Sequence, residues 1–152
     1  MEQTLVIVKP DGVQRGLVGA IIFRLERRGL RLSALKLLQV DEMRARSLYE
    51  VHLDKRFYNT LVSYISSSPV VAMVWQGLRA IDIIRSTMGA TDPAEAGPGT
   101  IRGDWGLNIG RNLIHGSDSP ESAGREIPIF FEADEIVHYS RALDQWYSEN
   151  EL

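Results

Sequence analysis

Lys9, Arg85, Arg102, Arg111 and His115 are the side chains whose types and positions could do chemistry together. Lys9 closes the apolar run of "LVIVKPDG", and strand ends commonly present functional groups. Arg102, Arg111 and His115 fall within one glycine-rich stretch, "GATDPAEAGPGTIRGDWGLNIGRNLIHG" (89–116), with Arg85 just before it. Gathered in space they would make an anion site, because guanidinium and ammonium donors neutralise and orient phosphate oxygens. Taken singly, each is a solvated surface charge, and spacing does not bring them together. Thr91 reads as a turn or capping residue as readily as a phosphate contact, and Asn112 as a residue that satisfies loop backbone. Phe57 is core by default, although an aromatic beside Lys55 and Arg56 could stack on a base. His52 and His138 fall in predicted helices and read as structural or exposed. For His115 the residues alone leave loop residue, metal ligand, acid/base and nucleophile open, with a structural role ranked first.

Other chemistries are excluded more firmly. The chain has no cysteine, which removes disulfides, thiolate metal sites and thiol nucleophiles and fits a reducing compartment. Three scattered histidines without H-E-x-x-H make a histidine zinc site improbable. No G-x-x-x-x-G-K-[ST] or D-F-G occurs, and "GPGTIRG" neither follows a strand nor matches G-x-G-x-x-G. A net charge of −3 lacks the global basic bias of duplex nucleic-acid binders, so nucleic acid is not expected as the main partner. The N-terminal "MEQTLVIVKP" is no signal peptide, and runs such as "LVGAIIF" are far short of a membrane span. A cytoplasmic protein without a membrane partner is expected.

The elements that must position these groups follow from periodicity. A buried strand is expected at 4–8, ended by a turn at Pro10-Asp11-Gly12. Val18, Ile22 and Leu25 lie at helical spacing before a stop at Gly29. A second strand is expected over 30–40, then two helices, one capped by Asp41 and one by Asp54 running 55–65. These two helices are a natural lid. "VVAMVW" (70–75) is a third strand, and Ile81, Ile84 and Met88 stripe a helix ending at Gly89. The stretch 89–116 reads as a long ordered loop, since Ile101, Trp105, Leu107, Ile109, Leu113 and Ile114 favour burial. "IPIFF" (127–131) is taken as a fourth strand. A last helix is expected after Asp134, with Ile136, Tyr139, Leu143 and Trp146 on one face. At 152 residues the chain suits one domain, spanning 1–152. Four strands with interspersed helices fit either a ferredoxin-like α+β sandwich or a small doubly wound sheet.

Longer strings narrow the choice. "VKPDGVQRGLVG" (8–19), "SPVVAMVWQG" (68–77), "GATDPAEAGPGTIRGD" (89–104) and "GRNLIHGSDSPESA" (110–123) closely resemble the nucleoside diphosphate kinase family. The similarity runs from Thr4 to about Trp146, in the same order and without large gaps. It implies an α+β ferredoxin-like sandwich, with a four-stranded antiparallel sheet and helices on its faces. The implied activity moves the γ-phosphate of a nucleoside triphosphate such as ATP to a nucleoside diphosphate, by a ping-pong route through a phosphohistidine.

By the same resemblance His115 matches the nucleophile, Glu126 the carboxylate that orients its imidazole, and Ser117 the hydroxyl beside it. Lys9, Arg85, Thr91, Arg102 and Asn112 match residues that bind phosphates and ribose. Phe57 matches the aromatic that stacks on the base, with Tyr49 and Leu61 as lid neighbours. Mg²⁺ is implied as cofactor, held by nucleotide phosphates and water, with Asp118 acting through water and no direct protein ligand. The family forms hexamers or tetramers, and the chain length favours a hexamer. Two departures stand out: Arg56 replaces a common proline before the stacking aromatic, and Trp105 a common phenylalanine after "RGD". The former is expected to alter lid stiffness or add charge, the latter to change packing. A non-enzymatic nucleotide sensor and a histidine phosphocarrier are the rival readings. A sensor needs no His115–Glu126 pair, and a carrier needs no Phe57.

Overall fold

The computed structural model describes residues 1–147, so the C-terminal end of the expected 1–152 domain lies outside the described residues. Strands β1 (Glu2–Val8), β2 (Arg31–Leu38), β3 (Val70–Gly77) and β4 (Ile114–Gly116) form one sheet in the order β2-β3-β1-β4. Each neighbouring pair is antiparallel. β3 inserts between β1 and β2, and this split arrangement with its covering helices is the ferredoxin-like α+β fold.

The apolar runs of the two central strands, 5–8 on β1 and 70–75 on β3, are continuous because both faces of the sheet are covered. On β1, Leu5 and Ile7 enter one core while Val6 and Val8 enter the other; on β3, Val70, Ala72 and Val74 oppose Val71, Met73 and Trp75. The period of two thus divides a continuous hydrophobic run between two layers. Helices α2 (Val18–Arg27) and α5 (Ala80–Met88) supply Ile21, Leu25, Ile84 and Met88 to one layer. Helices α3 (Glu42–Leu48), α4 (Tyr58–Ile65) and α7 (Pro120–Phe130) supply Ala45, Leu48, Val62, Ile65, Ala123, Ile127 and Phe130 to the other.

Several expected elements take a different form. Pro10-Asp11-Gly12 opens a short helix, α1 (Pro10–Gln14), rather than a simple turn; proline at a first helical position is preorganised for it. Asp41 caps α3 by accepting from the Arg44 N–H at 2.8 Å, as expected. Asp54 caps nothing: α4 begins at Tyr58, after a 3₁₀ turn at Glu50–His52. The stretch 89–116 is only partly loop. Thr100 caps a helix α6 (Ile101–Trp105), and the stretch ends in β4. Ile101, Leu113 and Ile114 are buried, whereas Leu107 and Ile109 lie exposed.

The expected fourth strand at 127–131 is wrong. Ile127–Phe130 completes α7, where Ala123, Glu126, Ile127 and Phe130 are buried at helical spacing. A five-residue apolar run is ambiguous between strand and buried helix, and Pro128 inside it already argued against a paired strand. The true fourth strand has three residues, too short to carry an alternating pattern. The expected last helix is also absent from the described residues. A Glu132/Glu135 capping box closes a 3₁₀ turn at Ala133–Glu135, and the Val137 N–H then donates to Ser33 O on β2. Asp134 does not cap, and Tyr139, Leu143 and Trp146 are exposed rather than packed on one face.

Candidate active site

The sheet order places the ends of β1 and β4 side by side, and with them Lys9 and His115. His115 pairs opposite Ile7 and shares its face of the sheet, the face covered by α7. Gly116 follows because β4 lies hard against α5: a Cβ there would meet Met88 Sδ at 2.6 Å.

From α7, Glu126 reaches back to the histidine. His115 Nε2 lies 2.9 Å from Glu126 Oε2, and the Ser117 hydroxyl donates to the same oxygen at 2.6 Å. An imidazole whose Nε2–H is held by a carboxylate has its lone pair on Nδ1. Burial pushes the Glu126 carboxyl up, but the hydrogen bonds from His115 and Ser117 outweigh it and hold the group below its ordinary value. Glu126 is therefore ionised at neutral pH.

The cations are anchored by their neighbours. Lys9 is buried, and its Nζ donates to Asn112 Oδ1 at 2.8 Å. Desolvation, helped by the charge of Arg102, lowers its pKa to about 8, against an opposing pull from Asp11. Arg102 is buried too and donates to three carbonyls: Asn112 O at 3.2 Å, Gly89 O at 3.1 Å and Ile114 O at 2.7 Å. Burial, then the charge of Arg85, lowers it to about 10. Asn112 Nδ2 donates to Thr91 O at 2.9 Å, and Arg85 lies 3.4 Å from Gly116 O.

These groups line one cavity of about 640 Å³, a size that suits a small organic ligand. Every sequence-predicted site residue except Ser117 lines it: Lys9, Tyr49, Phe57, Leu61, Arg85, Thr91, Arg102, Asn112, His115, Asp118 and Glu126. Ser117 lies behind His115, fully buried. Tyr49 Oη is buried without a hydrogen-bond partner among the described residues, and burial raises its pKa. The lid contributes Phe57, half exposed, with its ring tilted against His52 at 5.6 Å.

Among the wall residues that sequence reading missed are His52, Arg125 and Tyr64. His52, read as structural or exposed, lines the cavity beside Phe57. Arg125 donates to Ser47 O at 2.9 Å and lies 3.4 Å from Glu126 Oε1. Tyr64 stacks under the Arg111 guanidinium at 4.2 Å. Arg125 was visible as the neighbour of Glu126 in sequence; the other two had no signal beyond lying in the lid helices. Of the departures, Arg56 is exposed and does not line the cavity, while Trp105 packs its ring 4.1 Å from the Arg24 guanidinium.

Among the described residues no three acidic or imidazole groups converge on a metal-binding arrangement. Glu126 is committed to His115 and Ser117, which leaves Asp118 as the other carboxylate on the wall. Its carboxyl is held low by hydrogen bonding from Ser122. That donor set fits a cation carried by a phosphate ligand rather than one caged by protein.

The nucleoside diphosphate kinase family model matches residues 2–136. The chain is 56% identical to the nucleoside diphosphate kinase of Archaeoglobus fulgidus over 149 residues, covering 98% of this chain and 99% of that one. It is 60% identical to that of Thermomicrobium roseum over 146 residues, covering 96% and 98%. Among solved structures, a halophilic nucleoside diphosphate kinase from Halobacterium salinarum in complex with CDP superposes with a TM-score of 0.95 at 51% identity, covering 97% of this chain and 99% of that one. The chain belongs to the nucleoside diphosphate kinase family.

Proposed function

We propose that this nucleoside diphosphate kinase works in two half-reactions through a phosphohistidine at His115. The enzyme is a phosphotransferase of its family, and that membership disfavours a mere nucleotide sensor. The observation that carries the mechanism is the His115–Glu126–Ser117 constellation facing buried cations across one cavity.

Glu126 holds the proton on Nε2, so Nδ1 presents its lone pair to the γ-phosphorus of a bound nucleoside triphosphate. The N–P bond forms as the bond from phosphorus to the β–γ bridging oxygen breaks. The nucleoside diphosphate departs with that electron pair. The second half-reaction is the reverse: a β-phosphate oxygen of another nucleoside diphosphate attacks the phosphohistidine and restores the imidazole lone pair. Imidazole suits both steps, since its reference pKa of about 6.5 keeps it a nucleophile at neutral pH and a good leaving group once phosphorylated. Glu126 stabilises the positive charge that develops on the ring in each direction.

Such transfer depends on positioning and charge neutralisation. Lys9 and Arg102 supply fixed positive charge along the phosphate path, the more exposed Arg85 adds a further guanidinium, and Thr91 and Asn112 order its far side. Mg²⁺ bound to the nucleotide phosphates would neutralise further charge, with Asp118 held low enough to contact it through water. Phe57, with Tyr49 and Leu61, offers the base a stacking surface; every base has a π-face, so discrimination among bases and sugars is weak. The tilted His52–Phe57 pair is part of the same surface. Exposed Leu107 and Ile109 in the long loop and Leu35 and Leu37 on the free edge of β2 support a homo-oligomer, for which a hexamer is our reading. The absence of cysteine supports a cytoplasmic location, and no described helix is long and apolar enough to cross a membrane.

Incubation with γ-labelled ATP and Mg²⁺, followed by intact mass and acid treatment, tests the mechanism. The protein should gain one acid-labile phosphoryl group, absent in His115→Ala and discharged by added GDP. Nucleotide binding without a phosphoenzyme would refute it.

A further inference from the structure

Leu113 has φ +75°, and the Ile114 N–H donates back to Asn112 O at 2.9 Å. This is a γ-turn of the rare positive-φ form, placed two residues before His115. Its effect is visible in where the side chains go. In a regular strand residues 112 and 114 would share one face and 113 and 115 the other. Here Leu113 and Ile114 both enter the core, while Asn112 and His115 both line the cavity. The turn is what brings the two polar groups to one side.

Such a conformation persists only when its surroundings over-determine it. The Leu113 carbonyl accepts from the Lys9 N–H at 2.8 Å, and its N–H donates to Asp11 Oδ2 at 3.1 Å. The other oxygen of Asp11 accepts the Tyr64 hydroxyl, and the Asp11 N–H lies 3.3 Å from the Tyr64 oxygen. Gly12 lets α1 come this close, since a Cβ there would lie 2.9 Å from Leu113 O. Tyr64 sits in α4, the lid helix that follows Phe57 and carries Leu61. A single carboxylate thus joins the lid helix to the strained turn under the histidine.

We infer that Asp11 and Tyr64 are a positioning pair for the phosphoryl-transfer step: through Leu113 they hold Asn112 and His115 in register with Lys9. Neither group needs to touch the nucleotide for this. The inference rests on His115 being the nucleophile, and it assigns the pair to the rate of transfer rather than to the capture of the base.

The test uses Tyr64→Phe, which removes one hydroxyl and preserves the ring under Arg111, together with Asp11→Asn and the double variant. The first-order rate of phosphoenzyme formation at saturating ATP and Mg²⁺ should fall on the order of tenfold in each single variant, the scale expected of a sub-ångström misplacement. Nucleotide affinity should stay within about threefold, because the lid surface and cations remain. The double variant should be no slower than Asp11→Asn alone, since both changes release one clamp. Thermal melting on the same samples reports the folded fraction, to which each rate is normalised. A wild-type rate in Tyr64→Phe, a loss carried wholly by affinity, or independent and multiplying losses would each overturn the inference. A wild-type protein that forms no phosphoenzyme would instead overturn the mechanism on which it rests.

Discussion

The two walls of the cavity differ in how they are held. On the phosphate side Lys9, Arg102, Asn112 and Glu126 are all at least 91% buried, and each is hydrogen-bonded to backbone or to another side chain. On the lid side Phe57 and Val51 are 49% and 64% exposed. The first wall has little freedom left to lose when a phosphate arrives, so its charges act at full strength without reorganisation. The second offers apolar area and aromatic faces that can settle on differently shaped bases. On the proposed reading, rigidity serves the phosphates that all nucleotides share, and compliance serves the bases in which they differ.

Arg102→Gln should break the phosphate wall most severely short of removing the nucleophile. It would leave three carbonyls with fewer donors in a buried site, costing on the order of 3 kcal/mol of stability. It would also remove one fixed charge from the phosphate path, for which a loss of about 10²-fold in kcat is expected. Thermal melting and steady-state kinetics on one preparation measure both. A normal kcat in a destabilised protein would mean that this arginine only braces the turn.

Lys9 sharpens the same point through pH. Desolvation, and then the charge of Arg102, lowers its pKa to about 8. In the ligand-free protein its charge therefore fades as pH rises through about 8, and affinity for a nucleoside diphosphate should weaken over that range. Bound phosphates favour the charged form, so binding near pH 8.5 should take up protons, measurable by calorimetry in buffers of different ionisation enthalpy. The sign for stability is opposite. An unfolded lysine keeps its proton up to about 10.4, so between about pH 8 and 10.4 the unfolded chain binds more protons at this site. The cost of burying the charge is fully present below about pH 8 and disappears over that window. Lys9→Met should accordingly be more stable than wild type at pH 7 and nearly inactive.

How much of this was legible in the sequence differs between the walls. The continuous apolar runs of β1 and β3 and the helical spacing of α2 and α5 are clear, and the sequence reading found them. The 127–131 run is apolar at every position and so ambiguous between strand and buried helix; Pro128 was the one local sign against a paired strand, and packing makes Ile127–Phe130 helical. β4 was hidden for the opposite reason: three residues hold no period, and the γ-turn at Leu113 disrupts the alternation around it. Composition and spacing alone left His115 a structural residue. The longer matched strings named it and its partners, and the fold brings those partners to one cavity. Tyr64 escaped both routes because its partners, Asp11 and Arg111, lie on elements distant in sequence, whereas His52 and Arg125 are close in sequence to Phe57 and Glu126 but carry no motif of their own.

On the compliant wall a milder effect is expected. Phe57→Ala removes a half-exposed stacking face, and base–aromatic stacking contributes about 1–3 kcal/mol. The exposed geometry puts the loss at the low end, about fivefold to tenfold in KM with kcat little changed. The informative readout is the spread: ADP, GDP, CDP and UDP should lose affinity by similar factors. A loss confined to one base would mean that the lid reads base edges, and the contrast between the walls would fail.

The smallest effect should come from Trp105. Arg24 lies 4.1 Å from its ring, bonds Asp104 at 2.5 Å and donates to Gly99 O at 2.9 Å, so it ties α6, the helix that carries Arg102, to the turn before it. Trp105→Phe, which restores the residue more usual in the family, weakens the cation–π contact while the two hydrogen bonds remain. Tryptophan is the best of the aromatic partners, and the difference from phenylalanine at a partly exposed site is about 0.5 kcal/mol. The melting temperature should drop by roughly 1–3 °C for a chain of this size, with kcat and KM unchanged. That pairing of outcomes is what a wall held by many redundant contacts predicts. A change in kcat without a change in melting would mean that the loop is tuned by this one ring, and that the rigid wall is less over-determined than its hydrogen bonds imply.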